Sequence, residues 1–583
     1  MTNQEVAAKL REVYNLMQLA GENRFRAIAF DRAAQTIEGL NEEVINHLQN
    51  GTLTDIKGIG KSIAEDIRLF VDTGSMPVLD SLKKKVPPGL IRWLDISGLG
   101  PKNIVKINKT LGIEEIEELK DACLNGAVAE LPGLGEKSAE KILKSIAYLE
   151  QFGERCLLNE ALDIAESVFD FIKKLKGVKQ CEIAGSLRRA KETIGDIDII
   201  VAAEKEDINP VFDAFVNHSL VVEMLGRGDT KSSVRTLNGR QVDLRIVSDE
   251  EYPAALMYFT GSKEHNIVMR QRARERGMAL NEYGLFMLSD QKETDFEQPV
   301  KTGSEQDIYK KLGLNYVPPE HREDMGEVEF YAGNEQMELV EESQLKGVVH
   351  AHSTWSDGKY TIRQMADACI KQGYEYLTVT DHSKTAAYAG GLSAEQVQQQ
   401  WEEIDQLNEE FSAQNFHIFK GIESDILTDG SLDYPDEILA GFDIVIASVH
   451  FGLSLPPDQM TARFEAAITN PYTHIIGHPT GRLLLKREES KMDMNRLIDL
   501  AVKHNTAIEI NANPRRLDID WRYGNKARET GLMTSINPDA HSIEGIKDIR
   551  YGVMIARKAK FSPDRVLNTK NAAEFAQWLK GKH

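Results

Sequence analysis

Asp196 and Asp198, in the run Gly195-Asp-Ile-Asp198, and Asp243, inside the strand-like run Arg240-Gln-Val-Asp-Leu-Arg-Ile-Val247, are carboxylates placed to bind a cation. Alternate residues of a strand share a face, so Asp196 and Asp198 converge, and Asp243 on a neighbouring strand completes an all-oxygen cradle suited to Mg²⁺ or Mn²⁺. Two such ions clamp an in-line displacement at phosphorus, which points to nucleotidyl transfer. Just upstream, Gly185-Ser186-Leu-Arg-Arg189 offers a turn whose N–H groups can approach a phosphate and guanidinium forks that can hold its oxygens. Alone, Asp-Ile-Asp fits solvated acidic residues at a strand end equally well.

A second chemistry occupies the last part of the chain, where short apolar runs repeatedly end in a residue able to ligate a metal. Val348-Val349 leads to His350, His352 and Asp357; Leu377-Thr-Val-Thr380 leads to His382; Ile418-Phe-Lys-Gly-Ile422 leads to Glu423. Further on, apolar runs lead to His450, to His478, and to Asp539 and His541. In a barrel of parallel strands the residues just past the strand ends meet at one face, and the helical stretches between these runs fit a β/α alternation. Mixed imidazole and carboxylate ligands suit Zn²⁺ or Mn²⁺ better than Mg²⁺.

The elements ahead of both sites carry a repeat. Ile56-Lys-Gly58-Ile-Gly60, Ile96-Ser-Gly98-Leu-Gly100 and Leu131-Pro-Gly133-Leu-Gly135 share one pattern, each leading into a helical stretch with Lys61, Lys102 or Lys137 close by. The glycines permit a tight turn, and N–H groups at the following helix start can take a DNA backbone phosphate without reading a base. Repetition makes sequence-independent DNA binding the better account.

The order Gly-Ser-x-Arg-Arg, Asp-x-Asp, Asp243, then Tyr258-Phe-Thr-Gly261-Ser with Asn266 and Arg270, resembles the catalytic region of family X, polymerase-beta-like, DNA polymerases. The resemblance implies that Asp196, Asp198 and Asp243 are the catalytic metal ligands and that Gly185, Ser186 and Arg189 hold an incoming triphosphate. It places Tyr258, Phe259 and Gly261 against its sugar, and Asn266 and Arg270 at the nascent pair. Lys263 stands where the animal enzymes carry an acidic residue. The first hundred and fifty residues resemble the lyase-type domain of that family. Asp66 stands at its Schiff-base lysine, so the resemblance carries over 5′-phosphate and gap binding but not the nucleophile. The C-terminal pattern resembles the PHP superfamily, which implies a distorted (βα)₇ barrel holding up to three Mn²⁺, Zn²⁺ or Fe ions and hydrolysing phosphate esters.

Composition bounds these assignments. The chain has 583 residues and a formal net charge of −21, distributed at roughly −3, −9 and −9 over residues 1–150, 151–330 and 331–583. No region is basic, so phosphate contacts must be local: Lys83, Lys84, Lys85, Lys102, Lys106, Lys109, Arg188, Arg189, Arg227, Lys231, Arg270, Arg272 and Arg274 are the candidates. Four cysteines form no Cys-x-x-Cys pair, and no apolar span is long enough for a membrane, which reads as a reduced, cytoplasmic protein.

The expected architecture is multidomain. A helical helix-hairpin-helix region covers residues 1–152, and an α/β nucleotidyltransferase palm with a thumb-like subdomain covers 153–319. A solvated acidic linker follows at 320–342, then a barrel at 343–583. The expected function is gap-filling DNA synthesis from dNTPs on primer-template DNA, with a separate 3′-to-5′ exonuclease in the barrel. The alternative is a DNA-tethered phosphoesterase acting on small phosphoesters or DNA ends. A third reading gives the barrel a structural role in which metal contributes folding energy. Protein partners and oligomeric state are not legible.

Overall fold

The computed structural model describes residues 3–38, 40, 44–56, 58–96, 99–152, 155–289, 292–333 and 337–582. The chain divides into two compact units, one of residues 1–153 together with 485–487 and one of the remainder.

The first unit is helical. Helices Asn3–Leu19, Arg24–Glu38, Lys61–Thr73 and Pro77–Lys85 enclose one core around Leu10, Phe30 and Ile67. Helices Pro101–Leu111, Ile116–Leu124 and Glu136–Phe152 enclose another around Trp93, Ile104 and Leu119.

In the second unit a five-stranded sheet runs in the order Val178–Ile183, Asp196–Ala203, Gln241–Val247, Lys231–Thr236, Val221–Arg227. Only the pair Asp196–Ala203 and Gln241–Val247 is parallel, in a register that sets Asp198 opposite Asp243. Helix Leu158–Ile172 closes one face, because Leu158, Ala161, Leu162, Ala165, Val168 and Ile172 recur at helical spacing and are all buried. Full burial of each larger aliphatic among them contributes about 1.5–3 kcal/mol. A three-stranded antiparallel sheet, Met278–Asn281, Gly284–Ser289 and Lys292–Pro299, follows the helices Tyr252–Thr260 and Lys263–Arg274.

Seven parallel strands then follow one another in chain order: Gly347–Ala351, Tyr376–Val379, His417–Asp425, Ile444–Ser448, Ile475–Ile476, Ala507–Asn511 and Thr534–Asn537. A bridge between Ala351 and Ala540, with the His352 N–H donating to the Ala540 carbonyl at 2.9 Å, joins the last strand end to the first and nearly closes a barrel. These strands are buried along almost their whole length, as parallel strands covered by helices must be. All four cysteines are free. Among the described residues no helix is long and apolar enough to cross a membrane.

The first part of the acidic stretch 320–342 departs from the solvated reading. Glu320 accepts from Arg557 Nε at 2.7 Å, and Glu323 faces Lys558 Nζ at 2.8 Å. Glu327 is 1% exposed; its carboxylate accepts the N–H groups of Asp324 and Met325 and meets His265 Nδ1 at 2.7 Å. A carboxylate is buried only where hydrogen bonds replace its water, and sequence does not display those partners. Glu329, Glu338, Glu341 and Glu342 are exposed.

Candidate functional site

The palm carboxylates come together as the strand pattern requires. Oxygens of Asp196, Asp198 and Asp243 lie within 4.8 Å of one another. Asp196 is exposed and Asp243 buried. Burial first, then the charges of Asp196 and Asp243, push the Asp198 carboxyl up to about 7. Burial works against the Asp243 charge as well, but Lys231 Nζ at 2.7 Å and hydrogen bonds from Ser233 and Gln241 hold it below the usual carboxylate range. A divalent cation would relieve this crowded anionic group, so the donor set fits the ion the sequence calls for.

Gly185 packs directly against Asp198. It has φ +63°, and a Cβ placed on it would sit 2.3 Å from Asp198 Oδ2, so the turn needs both the left-handed conformation and the missing side chain. The two arginines behind it are already engaged. Arg188 gives both Nη atoms to Glu305, at 3.0 and 2.7 Å, and Arg322 adds a third bond to the same carboxylate at 2.6 Å. Burial opposes that charge, but the two guanidinium groups win and hold Glu305 down at about 2. Arg189 donates to the Thr260 carbonyl at 2.5 Å and to Glu323 at 3.1 Å. Both guanidinium groups are thus anchored within the protein, Arg188 by Glu305 and Arg189 by Glu323 and the Thr260 carbonyl.

Tyr258, Asn266, Arg270 and Asn281 line one pocket, and the Asn266 amide donates to the Tyr258 carbonyl at 2.7 Å. Phe259 packs edge-on to Tyr258, with the Arg245 guanidinium 4.1 Å from its ring centre. Gly261 ends the helix Tyr252–Thr260, and Ser262 caps the next, which begins at exposed Lys263.

In the barrel, each candidate ligand except Asp357, which lies in a turn six residues past the first strand, stands in or just beyond a strand. Glu423 is the hub: its oxygens lie 3.4 Å from His350 Nε2, 3.7 Å from His352 Nε2, 2.9 Å from His382 Nδ1, 3.3 Å from His450 Nε2 and 2.9 Å from His478 Nε2. Asp357 lies 3.6 Å from His382 and 3.3 Å from His541, and Asp539 3.2 Å from His352. Three overlapping groups result: His352, Asp357, His382 and His541; His350, His352 and Glu423; His382, Glu423 and His450. His350 and Asp539 adopt positive φ, 69° and 52°, conformations that persist only where the surroundings impose them. Ring nitrogens of His350, His352 and His478 and Glu423 Oε2 are buried without a hydrogen-bond partner. Polar atoms left so in a core mark a place for a cation, and mixed imidazole–carboxylate donors fit Zn²⁺, Mn²⁺ or Fe.

Residues not singled out in the sequence hold these ligands in place. Glu509, on strand Ala507–Asn511, meets His350 Nδ1 at 2.6 Å and accepts the His478 N–H at 3.1 Å. Asn537 and Asn511 also donate to it, each at 2.8 Å. Asp425 meets His450 Nδ1 at 2.9 Å. An acid within an otherwise apolar strand, Ala-Ile-Glu-Ile-Asn, was the available signal for Glu509.

In the helical unit the glycine repeats form matching turns. The N–H groups of Ile59, Leu99 and Leu134 donate to the carbonyls of Ile56, Ile96 and Leu131 at 3.0, 3.1 and 2.9 Å. A helix starts right after Gly60, Gly100 and Gly135. Gly58 and Gly133 have positive φ; Gly98 lies outside the described residues. Lys61, Lys102 and Lys137 are exposed at these helix starts. Several other candidate phosphate contacts are engaged within the protein. Lys83 pairs with Glu12, Lys85 with Glu22 and Arg227 with Asp213; Lys106 donates to the Pro132 carbonyl and Arg272 to that of Leu312.

Barrel and palm share a polar junction. Lys558, at the end of helix Ile549–Lys558, has a fully buried side chain. Its ammonium donates to the Arg189 carbonyl at 2.8 Å, the Glu320 carbonyl at 3.0 Å and Glu323 at 2.8 Å, and lies 4.2 Å from the Trp521 ring centre. Trp521 Nε1 donates to Glu192 at 2.9 Å.

Models of known domains match along the chain in the same order: a helix-hairpin-helix domain over residues 1–76, a SAM-like helix-hairpin-helix tandem over 91–147, the DNA polymerase beta palm over 157–236 and thumb over 255–323, and a PHP domain over 349–513. The chain belongs to the family X DNA polymerases with a C-terminal PHP domain. It is 42% identical, over 583 residues and 100% of both chains, to the DNA polymerase/3′-5′ exonuclease PolX of Bacillus subtilis (strain 168). It is 24% identical over 341 residues to DNA polymerase lambda of Rattus norvegicus, covering 55% of this chain and 56% of that one. Over 246 residues it is 29% identical to a probable phosphatase of Thermoanaerobacter sp. (strain X514), 40% of this chain and 94% of that one.

Proposed function

We propose that this chain fills short gaps in DNA by two-ion nucleotidyl transfer in its palm and trims 3′ ends in its barrel. The observation that carries the synthetic half is the register that sets Asp198 against Asp243 with Asp196 within 4.8 Å. In this reading these three hold Mg²⁺ or Mn²⁺. Gly185, Ser186 and Arg189 hold the triphosphate, Tyr258, Phe259 and Gly261 lie against the sugar, Asn266 and Arg270 face the nascent pair, and Lys263 belongs to the nucleotide-binding set. Divalent ions bound there would neutralise charge on the attacking and leaving oxygens. Arg189 enters at a fixed position because Glu323 and the Thr260 carbonyl hold its guanidinium.

In the barrel, His350, His352, Asp357, His382, Glu423, His450, His478, Asp539 and His541 would hold up to three Mn²⁺, Zn²⁺ or Fe ions. Such ions supply Lewis acidity toward a phosphodiester, so the protein needs no nucleophile of its own. Glu509 and Asp425 orient the imidazoles of His350 and His450. The glycine hairpins hold the DNA backbone with Lys61, Lys102 and Lys137. With a net charge of −21 this contact is modest and weakens steeply with salt, which favours gapped over intact duplex.

One gel tests both halves. A labelled primer bounding a short gap with a 5′-phosphate is incubated with Mg²⁺ or Mn²⁺, with and without dNTPs. Extension with dNTPs and shortening without them is the expected result; no extension with either ion contradicts the synthetic half. The likeness to a probable phosphatase favours a second reading for the barrel, and faster hydrolysis of p-nitrophenyl phosphate than of DNA ends would support it.

A further inference from the structure

We propose that the exposed ring of Tyr388 is a stacking platform for the 3′-terminal base of a DNA strand entering the barrel site, an inference that rests on the exonuclease reading above. Tyr388 lies in the turn Ala387–Ala389, just after the ligand His382. It is 74% exposed, whereas Ala386 and Ala389 in the same loop are buried at 1% and 4%. Its ring centre lies 6.3 Å from that of His382 and 6.4 Å from that of His450, so the tyrosine stands at the mouth of the cluster built around Glu423.

The loop that carries it is tied down on all sides. The Ala386 N–H donates to the Ser383 carbonyl at 3.0 Å, Gly391 to Ala386 at 3.1 Å and Leu392 back to the His382 carbonyl at 2.9 Å. Asp433 accepts the Thr385 N–H at 2.7 Å, and the Tyr434 hydroxyl donates to the Leu392 carbonyl at 2.5 Å. A Cβ on Gly391 would lie 1.9 Å from the Ser383 carbonyl oxygen, so two backbone segments pack in direct contact. Phe451, which directly follows the ligand His450, is 37% exposed and is backed by the Arg463 guanidinium at 4.7 Å.

A large ring left in water on a rigid turn gains little from folding. Every nucleobase has a π-face, so a fixed aromatic beside phosphodiester-binding ligands receives any terminal base without reading its identity. Such a platform also separates a DNA end from a small phosphoester, because the latter offers the ligands a phosphate and the ring nothing.

The test compares two 5′-labelled single strands that differ only in whether the 3′-terminal residue carries a base or is a tetrahydrofuran abasic analogue. Tyr388→Ala should lower kcat/KM for the base-bearing end by about 5- to 150-fold, the range of one base–aromatic stack. It should leave the abasic end at the wild-type rate, and Tyr388→Phe should retain both rates. An equal loss on both ends, or full activity of Tyr388→Ala on the base-bearing end, overturns the platform. Wild-type protein that shortens neither strand contradicts the exonuclease reading itself and removes this inference with it.

Discussion

Asp196 lies exposed at the start of its strand, and among the described residues Asp198 and Asp243 are the carboxylates grouped with it. In the barrel, His350, His352 and Glu423 are exposed by 0%, 1% and 1%, and behind His350 stands Glu509, itself held by the Asn511 and Asn537 amides. The difference tracks what each site must admit. In the proposed reading the palm takes a triphosphate and a primer end and leaves coordination positions for them, since Mg²⁺ is commonly held by one or two carboxylates plus substrate phosphates. In the same reading the barrel holds its ions on a donor set assembled in advance, with positive φ at His350 and Asp539 imposed by the surroundings. One region is therefore an open half-site and the other a prebuilt centre.

The largest way to break the comparison acts on what stiffens the open half-site. Glu305→Gln leaves Arg188 and Arg322 partnered by a neutral amide in a buried place and should cost about 3–5 kcal/mol at neutral pH in chemical denaturation. Because the Glu305 carboxyl sits at about 2 when folded, against about 4.5 unfolded, its stabilisation of about 3 kcal/mol is complete above pH 4.5. It is lost as pH falls towards 2, and the variant should lack that component of acid sensitivity.

Next in size, Gly185→Ala should reduce primer extension by about 100-fold through displacement of Asp198, with 3′-end shortening unchanged in the same samples. On the barrel side, Glu509→Gln should weaken metal retention and shortening by about 10- to 100-fold, read by dialysis followed by metal analysis, while extension persists. Smallest of all, Lys558→Met should raise the KM for dNTPs about tenfold with kcat within about twofold, because Arg189 and Glu323 lose a shared anchor. Shortening should be untouched; a parallel fall in both activities would mean that Lys558 merely supports the fold.

That the candidate barrel residues cluster is legible because most of them sit in or just past an apolar run, where chain order alone puts them on one face. The glycine hairpins were readable because their turns need glycine, and Gly58 and Gly133 adopt the positive φ that explains it. What stayed hidden was pairing across long separations. Nothing local marks Glu327 as buried, since its partner His265 is 62 residues away, and Arg188 meets Glu305 across 117. Glu509 lies within its strand rather than beyond the end, so no end-of-strand pattern marks it, although it touches the candidate ligand His350.

The central claim is that one chain holds two separable phosphorus chemistries, and crossed variants test it most directly. Wild type, Asp198→Ala and His352→Ala are each given the labelled gapped primer with Mn²⁺, with and without dNTPs. Asp198→Ala should shorten the primer and never extend it, and His352→Ala should extend it and never shorten it. If either substitution removes both activities from a protein with the wild-type unfolding transition, the two centres are not separate.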